Sequence, residues 1–245
     1  MQQYFDYHYN GPAFDLFGTG HLISLAIVAA ATAFLIWGWR NPGEEARRRV
    51  RLLIAGVALL NEISWHGWHL LNGAWSIQQH LPLHLCAISV WGSIYVLLTR
   101  SFRAYEILFF IGLAGAIQTM LTPDAGIYGL PHFRAIQTLF AHGLIVIAMV
   151  YMTTIEGYRP TWRSLWKTML LCNVYLVVVT GINVLIGSNY VYTLRKPVTA
   201  SLLDMMGPWP WYLLAGEFVA LLMFALLYLP FAWSDWQVRT AGESR

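Results

Sequence analysis

The chain has 245 residues, is 58% hydrophobic and only 11% charged, and carries a formal net charge of +3. A soluble domain would hold about 25% charged residues, so the composition excludes an ordinary globular protein. It also makes the small positive charge a sign of anchoring to anionic lipid, not of nucleic-acid binding.

Seven stretches are apolar enough to read as spans, against a need for about 20 residues each. They lie near 19–39, 52–71, 83–99, 104–121, 137–154, 165–187 and 211–232. The third and fourth are short, as tilted, irregular or partly re-entrant segments are. The spans leave room for one integral membrane domain over 1–245 and no soluble one. Expected is an all-α polytopic membrane helix bundle. The lead-in MQQYFDYHYNGPAFDLF has no Lys or Arg, unlike the basic start of a secretory signal. It reads as an aromatic amphipathic segment before a mature helix.

Basic residues set the orientation. Arg40, Arg47, Arg48, Arg49 and Arg51 fall in the first connection, Arg100 and Arg103 in the third, Arg159, Arg163 and Lys167 in the fifth, and Arg239 and Arg245 in the tail. Only Arg134, Arg195 and Lys196 fall on the other side. The expected topology has the N-terminus outside and the C-terminus cytoplasmic.

With that topology all eight histidines sit on the outer side. His8, His21 and His132 read as interfacial residues beside water. Glu62, His66 and His142 are flanked by apolar helix, where ionisable groups normally face the bundle or a water-filled cavity. Glu62, His66 and His69 are spaced four and three apart and share a helix face. That stripe reads as a hydrogen-bond network in which Glu62 orients His66, with a zinc or iron site as its alternative.

In Leu81-Pro82-Leu83-His84-Leu85-Cys86, proline suits a first helical turn, which places Cys86 in the second turn. A helix N-terminus and a neighbouring histidine are settings in which thiols become nucleophilic. The depth of His142 in the fifth span matches that of Cys86 in the third, so a Cys–His pair is available. Asn183, Glu62 or Asp204 are candidates to orient the imidazole as a third member, and His84 or His66 are alternative bases. Cys172 lies at a different depth, too far from Cys86 for a disulfide.

At these residues the chain resembles the YwaF-like bacterial integral membrane proteins, which are related to the eukaryotic transmembrane protein 164 family. The resemblance runs through the Leu81–Cys86 segment, Leu121-Thr122-Pro123-Asp124, Pro131-His132-Phe133, Ala141-His142-Gly143 and Gly157-Tyr158-Arg159-Pro160. It continues in Asn189-Tyr190, Arg195-Lys196-Pro197, Ser201-Leu202-Leu203-Asp204 and Gly207-Pro208-Trp209-Pro210-Trp211-Tyr212. The eukaryotic relatives are described as acyltransferases that remodel glycerophospholipids through a cysteine and a histidine. Carried over, these fall on Cys86 and His142.

The expectation is therefore a lipid acyltransferase of the bacterial cytoplasmic membrane, with its site toward the extracytoplasmic face. An acyl-thioester forms on Cys86, His142 moves the proton, and His84 or backbone N–H groups receive the oxyanion. Arg134, Arg195 and Lys196 meet the phosphate of phospholipid and lysophospholipid substrates, and no metal or other cofactor takes part. Alternatives are a metal-dependent seven-span lipid hydrolase, or a non-catalytic transporter, binder or haem protein, for which His66 and His142 are an available ligand pair.

Overall fold

A computed structural model describes residues 2–197 and 202–243, with side chains other than those of 2, 202, 239 and 241–243. The expectations for Met1, Ser201, Arg245 and the side chain of Arg239 lie outside the described residues. Among those described there is no strand. Seven helices follow one another: α1 (Thr19–Ala33, continued by a π turn Phe34–Gly38), α2 (Glu44–Leu71), α3 (Leu85–Thr99), α4 (Phe102–Leu121), α5 (Phe133–Thr154), α6 (Trp162–Ile186) and α7 (Trp211–Glu243). Short 3-10 turns lie at Gln2–Tyr4, Tyr190–Tyr192 and Leu202–Met206. The molecule is a helical, multi-pass membrane protein.

Five helices are long and apolar enough to cross a bilayer: α1 with its π turn, α4, α5, α6 and α7. The other two predicted spans fall short for separate reasons. Helix α3 is apolar but has 15 residues. Helix α2 is long, but it opens on Glu44, Glu45, Arg47, Arg48, Arg49 and Arg51 and carries Asn61, Glu62, His66 and His69 toward its far end. These are the helices that bear Cys86 and the Glu62 stripe.

Helix α5 is the central post. Within its span 78% of residues are buried, against 11% for α1. It packs on α1, α2, α3 and α4. Close approach depends on small residues, as in other membrane bundles. A Cβ on Gly143 would lie 2.7 Å from Val28 Cγ2, and one on Gly112 would lie 3.2 Å from Ile145 Cγ2. The outward faces of α1, α6 and α7 carry exposed Ile27, Val177, Leu185 and Phe218, which suit lipid.

Basic residues gather at one end of the bundle and histidines at the other. Arg51 and Arg100 flank the buried Glu156 at 3.8 and 3.0 Å, and Arg159 pairs with Asp235 at 2.6 Å. Lys167 pairs with Glu106, which also accepts from Ser164 Oγ at 2.7 Å. At the opposite end, two histidines expected at the interface are fully buried ties instead. His21 donates from Nε2 to the Met120 carbonyl at 2.7 Å, and its Nδ1 accepts from Phe17 N–H at 3.0 Å. His132 caps α5 by accepting from Arg134 N–H at 3.1 Å, and its Nε2 bonds the Asp6 carbonyl at 3.1 Å. Their ring nitrogens satisfy backbone groups of the N-terminal lead-in and the helix ends, so burial is tolerated. His8 is exposed.

Replacing His21 by Leu removes both of its bonds and strands a carbonyl and an N–H. The expected outcome is a loss of about 2–3 kcal/mol in unfolding free energy, read from thermal unfolding in detergent.

Candidate functional site

Helix α3 begins later than its proline suggests. Pro82 precedes the helix, and His84 is its N-cap in extended conformation (φ −73°, ψ 145°). The first helical bond runs from Ile88 N–H to the His84 carbonyl at 3.0 Å. Cys86 therefore stands in the first turn, not the second, among N–H groups that lack helical partners. Its own backbone N–H faces its sulfur.

The Cys86 thiol lies close enough to His142 on α5 and Thr119 on α4 to interact with both. His142 is buried. Its Nδ1 lies 2.7 Å from the Thr138 carbonyl one turn earlier on the same helix. A carbonyl only accepts, so Nδ1 carries the proton and Nε2 of the neutral ring is the basic atom. Nε2 is buried and has no hydrogen-bond partner among the described residues. The group that orients the imidazole is thus a backbone carbonyl, not one of the three side chains expected.

Asn183 is fully used elsewhere. Its Nδ2 donates to the Tyr190 carbonyl and Thr193 Oγ1, both at 2.9 Å, and its Oδ1 accepts from Ser188 Oγ at 2.6 Å and Tyr190 N–H at 2.8 Å. It shapes the turn after α6. Asp204 is exposed, and its carbonyl lies 3.5 Å from Lys196 Nζ. Glu62 is the one of the three near the pair: it is buried, accepts from the Trp91 indole, and lies within electrostatic reach of His142 and Arg134.

The Glu62 stripe does not converge on a common point. His66 Nε2 lies 3.6 Å from Glu62 Oε1, while its Nδ1 accepts from the Trp75 indole at 3.1 Å. An indole only donates, so the proton of neutral His66 sits on Nε2, toward the carboxyl group. His69 instead bonds the Trp65 carbonyl at 2.9 Å and packs on His80 with ring centroids 4.2 Å apart. Among the described residues no three His, Cys, Asp or Glu side chains form a metal-holding group.

Of the three cations expected to meet phosphate, Arg134 is closest to the pair. It bonds Gln137 Oε1 at 3.0 Å and Thr138 Oγ1, and its field reaches Glu62, His142, Asp124 and Tyr128. Thr138 so connects the guanidinium to the imidazole. Lys196 lies over the Tyr212 ring at 5.6 Å, and Arg195 is exposed beside it. Sequence reasoning passed over Trp91, Trp75 and Tyr192. Their only signal was their number, since aromatic residues at membrane interfaces are expected on general grounds.

His84 is held by Val191 N–H, which donates to its Nδ1 at 3.3 Å, and by the rings of Tyr190 and Tyr192. Burial pushes its pKa below the ordinary 6.5, and does the same to His80 and His132. A histidine that resists protonation when folded supports the fold above its unfolded value and loses that support as pH falls. The melting temperature is expected to drop progressively once pH falls below 6.5, and a thermal scan from neutral to acid pH checks this. A second expectation concerns the thiol. N-ethylmaleimide should label Cys86 at a rate that falls roughly tenfold or more in His142→Ala, because the thiolate is the reacting species, as followed by intact mass.

A family model described as the TMEM164 family matches residues 16–228, a stretch that holds Cys86, His142 and most of all seven helices. No curated protein and no solved structure matches the chain. With most of its length matched, this membrane protein belongs to the TMEM164 family.

Proposed function

We propose that the protein is a phospholipid acyltransferase that works through an acyl-thioester on Cys86, with His142 as the proton carrier. The observation that supports this most is a first-turn thiol within interaction range of an imidazole whose Nδ1–H is committed to the Thr138 carbonyl, which leaves Nε2 basic and unpartnered. A nucleophile, a base in reach of it and a third group that orients the base are the parts that covalent catalysis requires.

In the first step Nε2 of His142 takes the thiol proton and the sulfur attacks the carbonyl carbon of a phospholipid ester. The C–S bond forms, the ester C–O bond breaks, and the departing alkoxide takes the proton from His142 to leave as a lysophospholipid. In the second step a lysophospholipid hydroxyl gives its proton to Nε2 and attacks the thioester. The C–S bond breaks and the thiolate recovers the proton. Glu62, anchored by Trp91 and close to His66, lies within electrostatic reach of the imidazole. Arg134 faces the same centre and suits a lipid phosphate, with Lys196 and Arg195 further out.

Seven crossings, with the N-terminus outside and the C-terminus in the cytoplasm, follow from the basic residues at the Glu156 end of the bundle and the positive-inside rule. On that topology the thiol opens to the extracytoplasmic half of a bacterial cytoplasmic membrane.

Incubation with a labelled phospholipid should add the mass of one fatty acyl group to the intact protein. Cys86→Ala should abolish the gain, and His142→Ala should slow it about 10²–10⁴-fold. Full acyl exchange in either variant would overturn the mechanism.

A further inference from the structure

The turn after α6 holds a backbone that its side chains disfavour. Val191 has φ 56° and ψ 12°, and Tyr192 has φ 56°. A β-branched residue in the left-handed region is a genuine outlier. Several bonds keep it there. Asn183 grips Tyr190 N–H and carbonyl, the Tyr190 hydroxyl donates to the Ile77 carbonyl at 2.7 Å and accepts from Leu81 N–H at 2.9 Å, and the Tyr212 hydroxyl donates to the Tyr192 carbonyl. Strain over-determined in this way marks functional sites more often than chance placement does.

The strained pair accomplishes two things. It aims Val191 N–H at His84 Nδ1, and it lays the Tyr192 ring against the His84 ring with centroids 5.5 Å apart. Because an N–H only donates, Nδ1 is the acceptor and the proton of neutral His84 sits on Nε2. Neither that Nε2–H nor the Tyr192 hydroxyl has a hydrogen-bond partner among the described residues, and both side chains are only half-buried. His84 immediately precedes the helical turn that carries Cys86. Two neutral donors without a partner thus stand together, one on the residue that caps the helix of Cys86 and the other within electrostatic reach of the thiol.

We infer that His84 Nε2–H and the Tyr192 hydroxyl form the pocket that receives the acyl carbonyl oxygen at Cys86, and that the left-handed Val191–Tyr192 backbone exists to build it. The inference rests on the thiol-transfer reading above. As the C–S bond forms, the carbonyl electron pair moves onto oxygen and both donors meet the new negative charge. When the pair returns, the ester C–O bond breaks and the leaving alkoxide takes its proton from His142. Donors already in place act without reorganisation at that moment. Burial lifts the Tyr192 phenol above its usual range, so it stays protonated, and its field reaches Cys86.

The full chain in phosphatidylethanolamine–phosphatidylglycerol vesicles provides the test, with two reactions of the same sulfur followed by intact mass. One is acylation by labelled phosphatidylethanolamine and the other is alkylation by N-ethylmaleimide, whose attack creates no acyl oxyanion at this position. Tyr192→Phe keeps the ring and loses only the hydroxyl. It should slow acylation on the order of 10²-fold and leave alkylation within about twofold of wild type. His84→Leu should give the same split. Acylation at the wild-type rate in both variants overturns the inference, as does an equal slowing of both reactions, which would make these residues structural props. Acylation that persists in Cys86→Ala would instead overturn the thiol-transfer reading itself.

Discussion

A polar group placed in lipid must find its partner inside the protein, and that requirement organises this molecule. Helices α2 and α5 carry Glu62, His66, His69, Gln137, Thr138 and His142 through apolar surroundings, and each of these side chains is turned toward another part of the chain. Backbone carbonyls are recurrent partners: Met120 for His21, Trp65 for His69 and Thr138 for His142. Each fixes a tautomer as well as a position. The chemistry available at the site therefore depends on which ring nitrogen the helix backbone has already taken.

The same rule sorts the two ends of the bundle. Glu156 and Glu106 are buried among Arg51, Arg100 and Lys167, where an unpaired carboxylate would be costly. The opposite end contains few formal charges and many rings. Tyr7, Trp65, Trp68, His69, His80, Tyr128 and His132 pack in one continuous aromatic layer. That layer lets neutral imidazoles be buried near the guanidinium of Arg134.

Much of this was legible from hydropathy. Seven helices lie where seven apolar stretches were read, and the basic residues that alternate along the chain gather at one end of the bundle. Cys86 and His142 lie within interaction range of each other. What escaped sequence reasoning depends on contacts between distant segments. Pro82 is a good first helical residue, but Val191 and Tyr190, more than a hundred positions away, hold His84 extended and delay the helix. The search for a third member considered side chains, whereas Thr138 contributes its carbonyl, a group every residue has. Asn183 has the right depth and chemistry, yet the turn at Tyr190 uses all of its valences. His21 and His132 carry no pattern that distinguishes a buried tie from a surface ring, because their partners are main-chain atoms.

The shortness of α3 has its own consequence. Fifteen residues rise roughly 22 Å, while a hydrocarbon layer is about 30 Å thick. A helix of that length is too short to reach both surfaces unaided, so as a crossing it would need a thinner bilayer or added depth from the loop at 72–84. Cys86 is the second residue of that helix, so any shortfall on that side falls at the thiol.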